Sequence, residues 1–255
     1  MKKFPIALQL YSVREQLKED FIGTLRAVKE MGYDGVELVG LYGYSAQELK
    51  NMFQEIGLIP LAVHAGFPEM AADPDFAAAY KGLGCDYAIV SYLPPEFRPD
   101  SGRFDETIAT LKEVIQHVEK SGLKLCYHNH DFEFQKIDDA YGLDILYKEI
   151  PDMMAELDSC WIKVAGEDPV KYIRKYAGRQ ALLHVKDFFG TKSADCRSDF
   201  EFRPVGYGVQ NFREILLAAE EADVSWLIVE QDAPSLGKSA LECAKMSIDY
   251  LKTLL

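Results

Sequence analysis

"REQLKEDFIGTLRAVKEMGYDGVELV", Arg14 to Val39, is the stretch that decides the fold. Its first part spaces apolar residues at a helical period and runs to Gly32, the residue type that a left-handed helix end favours. Its last part, "GVELV", is a short run of β-forming residues. The same unit of helix, glycine and strand recurs along the chain. The other β-rich runs are "IALQLY", "IPLAVH", "YAIVSY", "KLCYHNH", "MMAELD", "ALLHVK" and "WLIVE". Gly57, Gly84, Gly122 and Gly178 punctuate further helix ends, and Ser45 with Glu48 has the spacing of a capping box. Eight such units predict an α/β fold, a (β/α)8 TIM barrel forming a single domain over residues 1–255. A doubly wound sheet usually has fewer strands, and no GxGxxG follows strand one. The longest stretch without periodicity, Phe188 to Gly208, follows strand seven and is a candidate active-site loop.

The composition narrows the partners. With 255 residues, 48% of them hydrophobic, the chain has ample material for one large core. The net charge is −13 and no lysine or arginine run stands out, which argues against a nucleic-acid partner and against an anionic membrane surface. "MKKFPIALQLYSVRE" is interrupted by Gln9 and lacks a small-residue cleavage site, so it reads as a first strand. No apolar segment approaches membrane-spanning length. Cys85, Cys126, Cys160, Cys196 and Cys243 are odd in number and contain no CxxC, so a reducing cytoplasm is expected.

In a barrel of this kind the chemistry sits at the carboxyl ends of the strands. Those ends carry Gln9, Tyr11, Glu37, His64, Ser91, His128, His130, Asp158, His184, Lys186 and Glu230. Four of the five histidines are among them; the fifth, His117, lies on a helix and reads as a surface or packing residue. Residues two apart on a strand share a face, so His128 pairs with His130, His184 with Lys186, and Glu156 with Asp158. Each alone has an ordinary structural reading. Glu37 accepts bonds from a loop or meets substrate; Lys186 pairs with Asp187 or Glu156; Asp131 and Glu133 cap the turn after strand five. His128, Asp158, His184 and Glu230 are harder to dismiss together. Two imidazoles and two carboxylates from strands five to eight suit one divalent ion such as Mn2+, Co2+ or Zn2+.

These segments, with "GYDGVEL", "LAVHAGF", "LCYHNHDFEF", "AELDSCW", "LLHVKDF", "PVGYGVQNF" and "LIVEQD", resemble the xylose isomerase-like TIM barrels, the superfamily of sugar phosphate isomerases and epimerases. The resemblance spans nearly the whole chain. It implies one metal held by a residue from each of strands five to eight, usually Glu, Asp, His and Glu. Asp158, His184 and Glu230 match by position. His128 stands where ketose epimerases carry a glutamate, with His130 the other possible strand-five ligand. Lys186 is similar to a substrate-contacting lysine of the dehydratase branch. A trinuclear endonuclease IV site is not matched: Trp161 replaces one of its histidines, and the strand-four histidine is missing at "IVSYLPP". Family habit also implies a homodimer.

The implied chemistry is proton removal beside a carbonyl, through an enediolate, in a sugar isomerase or epimerase acting on a small carbohydrate. Glu230 is one acid/base and either His130 or Lys186 the other, with a depressed pKa expected for Lys186. Gln9, Tyr11, Glu37 and His64 are expected around the substrate. Only Arg197 and Arg203 offer arginines near the mouth, so a phosphate on the sugar is not indicated. The alternatives are a dehydratase or lyase acting on an inosose or 3-keto-glycoside, and a non-catalytic carbohydrate-binding barrel.

Overall fold

Parallel strands close on themselves in the computed structural model, which describes residues 2–191 and 200–255. They are β1 (Ile6–Gln9), β2 (Gly35–Leu38), β3 (Ile59–Ala65), β4 (Tyr87–Val90), β5 (Lys124–His128), β6 (Met154–Asp158), β7 (Gln180–Val185) and β8 (Trp226–Val229). Each pairs with its neighbour in sequence, and β1 returns to β8 with Ile6 opposite Leu227. The single-domain TIM barrel expected from the periodicity is the fold.

Outside the barrel run helices such as Phe21–Met31, Ala46–Ile56, Phe104–Lys120 and Ala240–Leu254. Their ends follow the sequence signals. Ser45 Oγ accepts from the Glu48 amide at 3.3 Å while the Glu48 carboxylate accepts from the Ser45 amide at 2.8 Å. Gly32 closes the helix Phe21–Met31 at φ 95°, a conformation costly for any residue with a Cβ. His117 is exposed on its helix, as read from the sequence.

The barrel interior is built in two layers. Ala7, Ala62, Ile89, Cys126, Leu182 and Ile228 form an apolar plug. Two residues further along each strand, the same inward direction is taken by Gln9, His64, Ser91, His128, His184 and Glu230. A dry floor therefore lies under a polar layer. The strand register shifts between Val36 and Glu37 and again between Ala155 and Glu156. Such irregularities re-aim side chains, and here they occur where Glu37 and Glu156 enter the interior.

Two details depart from the sequence reading. After Gln9 the chain turns into a 3-10 segment, Leu10–Val13, so Tyr11 leaves the strand direction. The expected loop Phe188–Gly208 includes regular structure: Asp187–Phe189 pairs antiparallel with Glu201–Arg203. Cys196 and Arg197 lie outside the described residues. Among the described residues Cys85, Cys126, Cys160 and Cys243 are free and buried, and no helix is long and apolar enough to cross a membrane.

Candidate active site

The strand register sets the residues at matching heights. Asp158 at the end of β6 lies opposite His184 of β7, and His128 at the end of β5 opposite Glu156. Glu230 follows β8 directly. His128, Asp158, His184 and Glu230 are all buried, and each directs a ligand-type atom to within 4.8 Å of the others. His128 Nε2 is 3.4 Å from Asp158 Oδ2, and His184 Nδ1 is 3.2 Å from Glu230 Oε2.

The donor set suits a divalent ion. Both ring nitrogens of His128 and Oδ2 of Asp158 are buried without a hydrogen-bond partner among the described residues. Leaving such atoms unpaired is costly, and a cation would satisfy Oδ2 of Asp158 and the lone-pair nitrogen of His128. Burial, helped by neighbouring His184, lowers the pKa of His128 to about 4, so its imidazole is neutral and has a lone pair to give. The other carboxylate oxygen of Asp158, Oδ1, is held by the amides of Cys160 and Trp161 at 2.7 and 3.0 Å. That fixes the carboxylate with Oδ2 turned toward His128.

Beneath this set lies a second cluster, Glu37, His64, Glu156 and His184. His64 Nε2 is 2.9 Å from Glu37 Oε2 and 2.7 Å from Glu156 Oε2; His184 Nε2 is 2.8 Å from Glu37 Oε2. Gln9 Nε2 donates to that same Glu37 oxygen at 2.7 Å. Burial would lower the pKa of both histidines, but Glu37 and Glu156 outweigh it: His64 rises to about 10 and His184 well above its ordinary value. Burial would raise Glu37, but His64 and His184 pull it far down, so it stays ionised. Glu156, pushed up by burial and by the charge of Glu37, reaches about 7. The lower layer thus holds its charge by mutual pairing, and Nδ1 of His184 is left facing Glu230.

Lys186 stands beside Glu230. Its Nζ is 3.0 Å from Glu230 Oε2, 2.7 Å from Asp232 Oδ1 and 3.9 Å from Asp158 Oδ2. Burial works against the ammonium, yet Asp232, Glu230 and Asp158 raise its pKa well above the ordinary lysine value. The protein's own carboxylates thus favour the charged lysine and oppose the depression expected from burial beside an ion. Its partner is neither Asp187 nor Glu156. Asp187 turns away and accepts from the amides of Phe188, Gly206, Gly208, Val209 and Gln210 at 2.9–3.2 Å. It pins the returning segment to the end of β7.

His130 lies beyond β5, with its ring 5.1 Å from that of His128. Phe132 stacks on it at 5.2 Å and the Tyr92 ring meets it edge-on at 5.4 Å. Burial first, then His128 and Lys186, hold its pKa well below the usual imidazole range. The ring is neutral, and its Nδ1 has no partner among the described residues. Glu133, read as a turn cap, does cap: it accepts from the His130 amide at 2.7 Å and from the Tyr127 hydroxyl at 2.6 Å. It is also fully buried, and burial lifts its pKa to about 7.

A cavity of about 340 Å3 opens over these groups, lined by Tyr11, Val39, His64, Ser91, Tyr92, His128, His130, Lys186, Glu230 and Asp232. Of the residues expected around a substrate, Tyr11 and His64 reach it. Gln9 and Glu37 lie underneath, wholly buried. Arg203 pairs with Glu201 at 2.8 Å on the hairpin and does not line the cavity. Glu156 and Asp232 were not singled out from sequence. Their signals were modest: Glu156 shares a strand face with Asp158, and Asp232 shares parity with Glu230.

The comparisons agree with this architecture. Over 90% of its length the chain is 24% identical to an inosose dehydratase of Geobacillus kaustophilus (strain HTA426), covering 86% of that protein. A sugar phosphate isomerase/epimerase from Parabacteroides distasonis ATCC 8503 superposes with TM-score 0.80 at 23% identity, covering 97% of each chain. An L-ribulose 3-epimerase superposes with TM-score 0.74 at 15% identity, covering 99% of this chain and 95% of that one. The structural likenesses speak for the fold. The profile of one family matches residues 25–254, and on that match the chain belongs to the xylose isomerase-like TIM barrel family.

Proposed function

We propose that the chain is a divalent-metal-dependent enzyme that moves a proton on the carbon beside a carbonyl of a keto-sugar or related polyol, as an isomerase or epimerase. One observation carries the reading. Four metal-type ligands lie within reach of one another, and two of them, His128 and Glu230, line one cavity together with the neutral imidazole of His130 and the charged Lys186. His128, Asp158, His184 and Glu230 would hold the ion, with Mn2+, Co2+ or Zn2+ the fitting choices. Such an ion, when bound, polarises the substrate carbonyl and acidifies the adjacent C–H bond.

The side chains divide the proton transfers. His130 is neutral, its buried Nδ1 has no partner among the described residues, and with the lone pair on that nitrogen it suits the base on one face. Lys186 is cationic and suits donation to the developing oxyanion on the other. Glu230, within 3.0 Å of Lys186, is the second acid/base candidate and takes up or returns the proton beside it. Tyr11 and His64 position substrate hydroxyls.

The asymmetry of this set favours a second reading. Paired glutamates on opposite faces would serve a symmetric epimerisation; here Glu230 is matched by an imidazole and a lysine. Lys186 could then protonate a departing β-hydroxyl, giving a dehydratase acting on an inosose, in keeping with the likeness to an inosose dehydratase.

The test is carbon-bound hydrogen exchange. The protein is loaded with Mn2+, Co2+ or Zn2+ and incubated in deuterated water with ketoses and inososes, followed by NMR. Deuterium at the carbon next to the carbonyl, lost in His130→Ala, supports the reading, and an enone product selects the dehydratase. A protein that takes up no divalent ion and exchanges no hydrogen leaves the carbohydrate-binding barrel.

A further inference from the structure

The rim beside Tyr11 carries a second recess. A groove of about 660 Å3 runs between the segment that follows β1 and the loop that follows β2, lined by Tyr11, Arg14, Phe21, Ile22, Val39 and Tyr44 among others. The cavity over His128 and Glu230 measures about 340 Å3, and Tyr11 and Val39 border both. The two spaces are neighbours, with Tyr11 and Val39 as their common wall.

The groove is held open by built features. Tyr42 sits at φ 53°, a left-handed conformation that a bulky side chain rarely adopts. Its hydroxyl accepts from the Val39 amide at 2.9 Å, and its ring packs 5.1 Å from that of Phe21. Tyr11, Ile22 and Val39, each at least 36% exposed, meet along this groove instead of being scattered.

The wall is also fixed to the reacting end. Arg14 Nη1 donates to the carbonyls of Tyr11 at 2.8 Å and Asp232 at 2.9 Å, and its guanidinium lies 4.0 Å from the Tyr11 ring centre. Asp232 is the partner of Lys186. A ligand seated against Tyr11 is therefore registered to the lysine.

We propose that this groove is a subsite for a second ring joined to the reacting sugar, so that the preferred substrates are keto-sugars carrying a glycosidic substituent. The inference rests on reading the neighbouring cavity as a keto-sugar site. Aromatic and aliphatic walls fit the C–H faces of a pyranose, while Arg14, Lys18, Glu19 and Asp20 at the edge meet its hydroxyls. A phosphate substituent fits worse: Lys18 is paired with Glu15 at 2.9 Å, the Nη1 donor of Arg14 is committed to carbonyls, and Glu19 and Asp20 add negative charge.

Calorimetric titration of the Mn2+-loaded protein with D-fructose and with two of its glucosides, isomaltulose and turanose, tests the subsite. At least one disaccharide is expected to bind roughly tenfold more tightly than fructose or better. Ile22→Arg, which fills the groove away from the reacting groups, should erase that gain and leave fructose binding unchanged. Tyr44→Ala serves as a second probe if the arginine variant does not fold. Disaccharides no tighter than fructose, or a gain that survives both substitutions, overturn the subsite. Hydrogen exchange on fructose is read separately. Exchange without a disaccharide gain sinks the groove alone, and a gain without exchange upholds the groove while removing the catalytic reading. Binding of no sugar at all overturns both.

Discussion

Oε2 of Glu37 stands 2.8 Å from Nε2 of His184, and Gln9 and His64 crowd the same oxygen at 2.7 and 2.9 Å. With that carboxylate ionised, the Nε2–H of His184 is held by Glu37, and the proton on the opposite nitrogen, Nδ1, is the one an ion facing Glu230 would displace. A residue from β2 thus orients a candidate metal ligand on β7.

Glu37→Gln should therefore lower divalent-ion affinity by about 10–100-fold, the usual effect of losing an orienting partner behind a metal-binding histidine. Chelator competition with Mn2+ or Zn2+ measures it directly. Affinity equal to the parent protein would remove the orienting role from Glu37.

Lys186→Met should destabilise the ion-free protein by about 3–5 kcal/mol, because Glu230 and Asp232 lose the charge that compensates them. Urea unfolding with and without Mn2+ separates the effects. The ion should restore much of the loss by supplying positive charge, while hydrogen exchange stays down by about 10²–10⁴-fold. Full exchange in this variant would leave Lys186 a purely structural cation.

Glu133 gives a pH signature with a definite sign. Its folded pKa is raised to about 7, whereas an unfolded glutamate titrates near ~4.3. Between those values the folded protein keeps a proton that the unfolded chain has lost, so this contribution falls as pH rises and levels off above 7. The amount is about 4 kcal/mol for a fully buried group. Glu133→Gln, whose amide can still accept from His130 and donate to Tyr127, should flatten the slope between pH 5 and 8 in urea-unfolding series. An unchanged slope would assign the pH dependence elsewhere.

Asp187→Asn should cost about 1.5–3 kcal/mol or more, because the carboxamide must turn an N–H₂ toward amides that both carboxylate oxygens now accept from. Thermal unfolding gives the value. Gly208→Ala should be at least as damaging, since its Cβ would lie 2.2 Å from the carbonyl oxygen of Phe188. A neutral result for both would mean that this segment contributes little to global stability.

The strands and the outer set of four residues were legible because both follow from short-range pattern. A barrel strand shows as an apolar run, and a polar residue at its carboxyl end is visible on the same line of sequence. The lower cluster was not. Glu156 meets His64 only because the barrel curves two distant strands toward each other, and a register shift beside each of Glu37 and Glu156 redirects them. Strand parity carries no information about such shifts. The carboxylates around Lys186 were not legible for a related reason: burial was foreseeable, whereas the approach of Asp232 depends on how the chain leaves β8.

The closure of β1 onto β8 has a consequence for how the protein comes to exist. Gln9 and Glu37 sit early in the chain, His184 and Glu230 late, and the Gln231 amide reaches back to Ser12 Oγ at 3.0 Å. Pairings of such long sequence separation form slowly and cannot form until the distal strand has been synthesised. A growing chain on the ribosome would present Glu37 and His64 without their eventual counterpart His184. On the proposed metal-dependent reading, ion capture would follow closure of the ring, and the bound ion would report that closure.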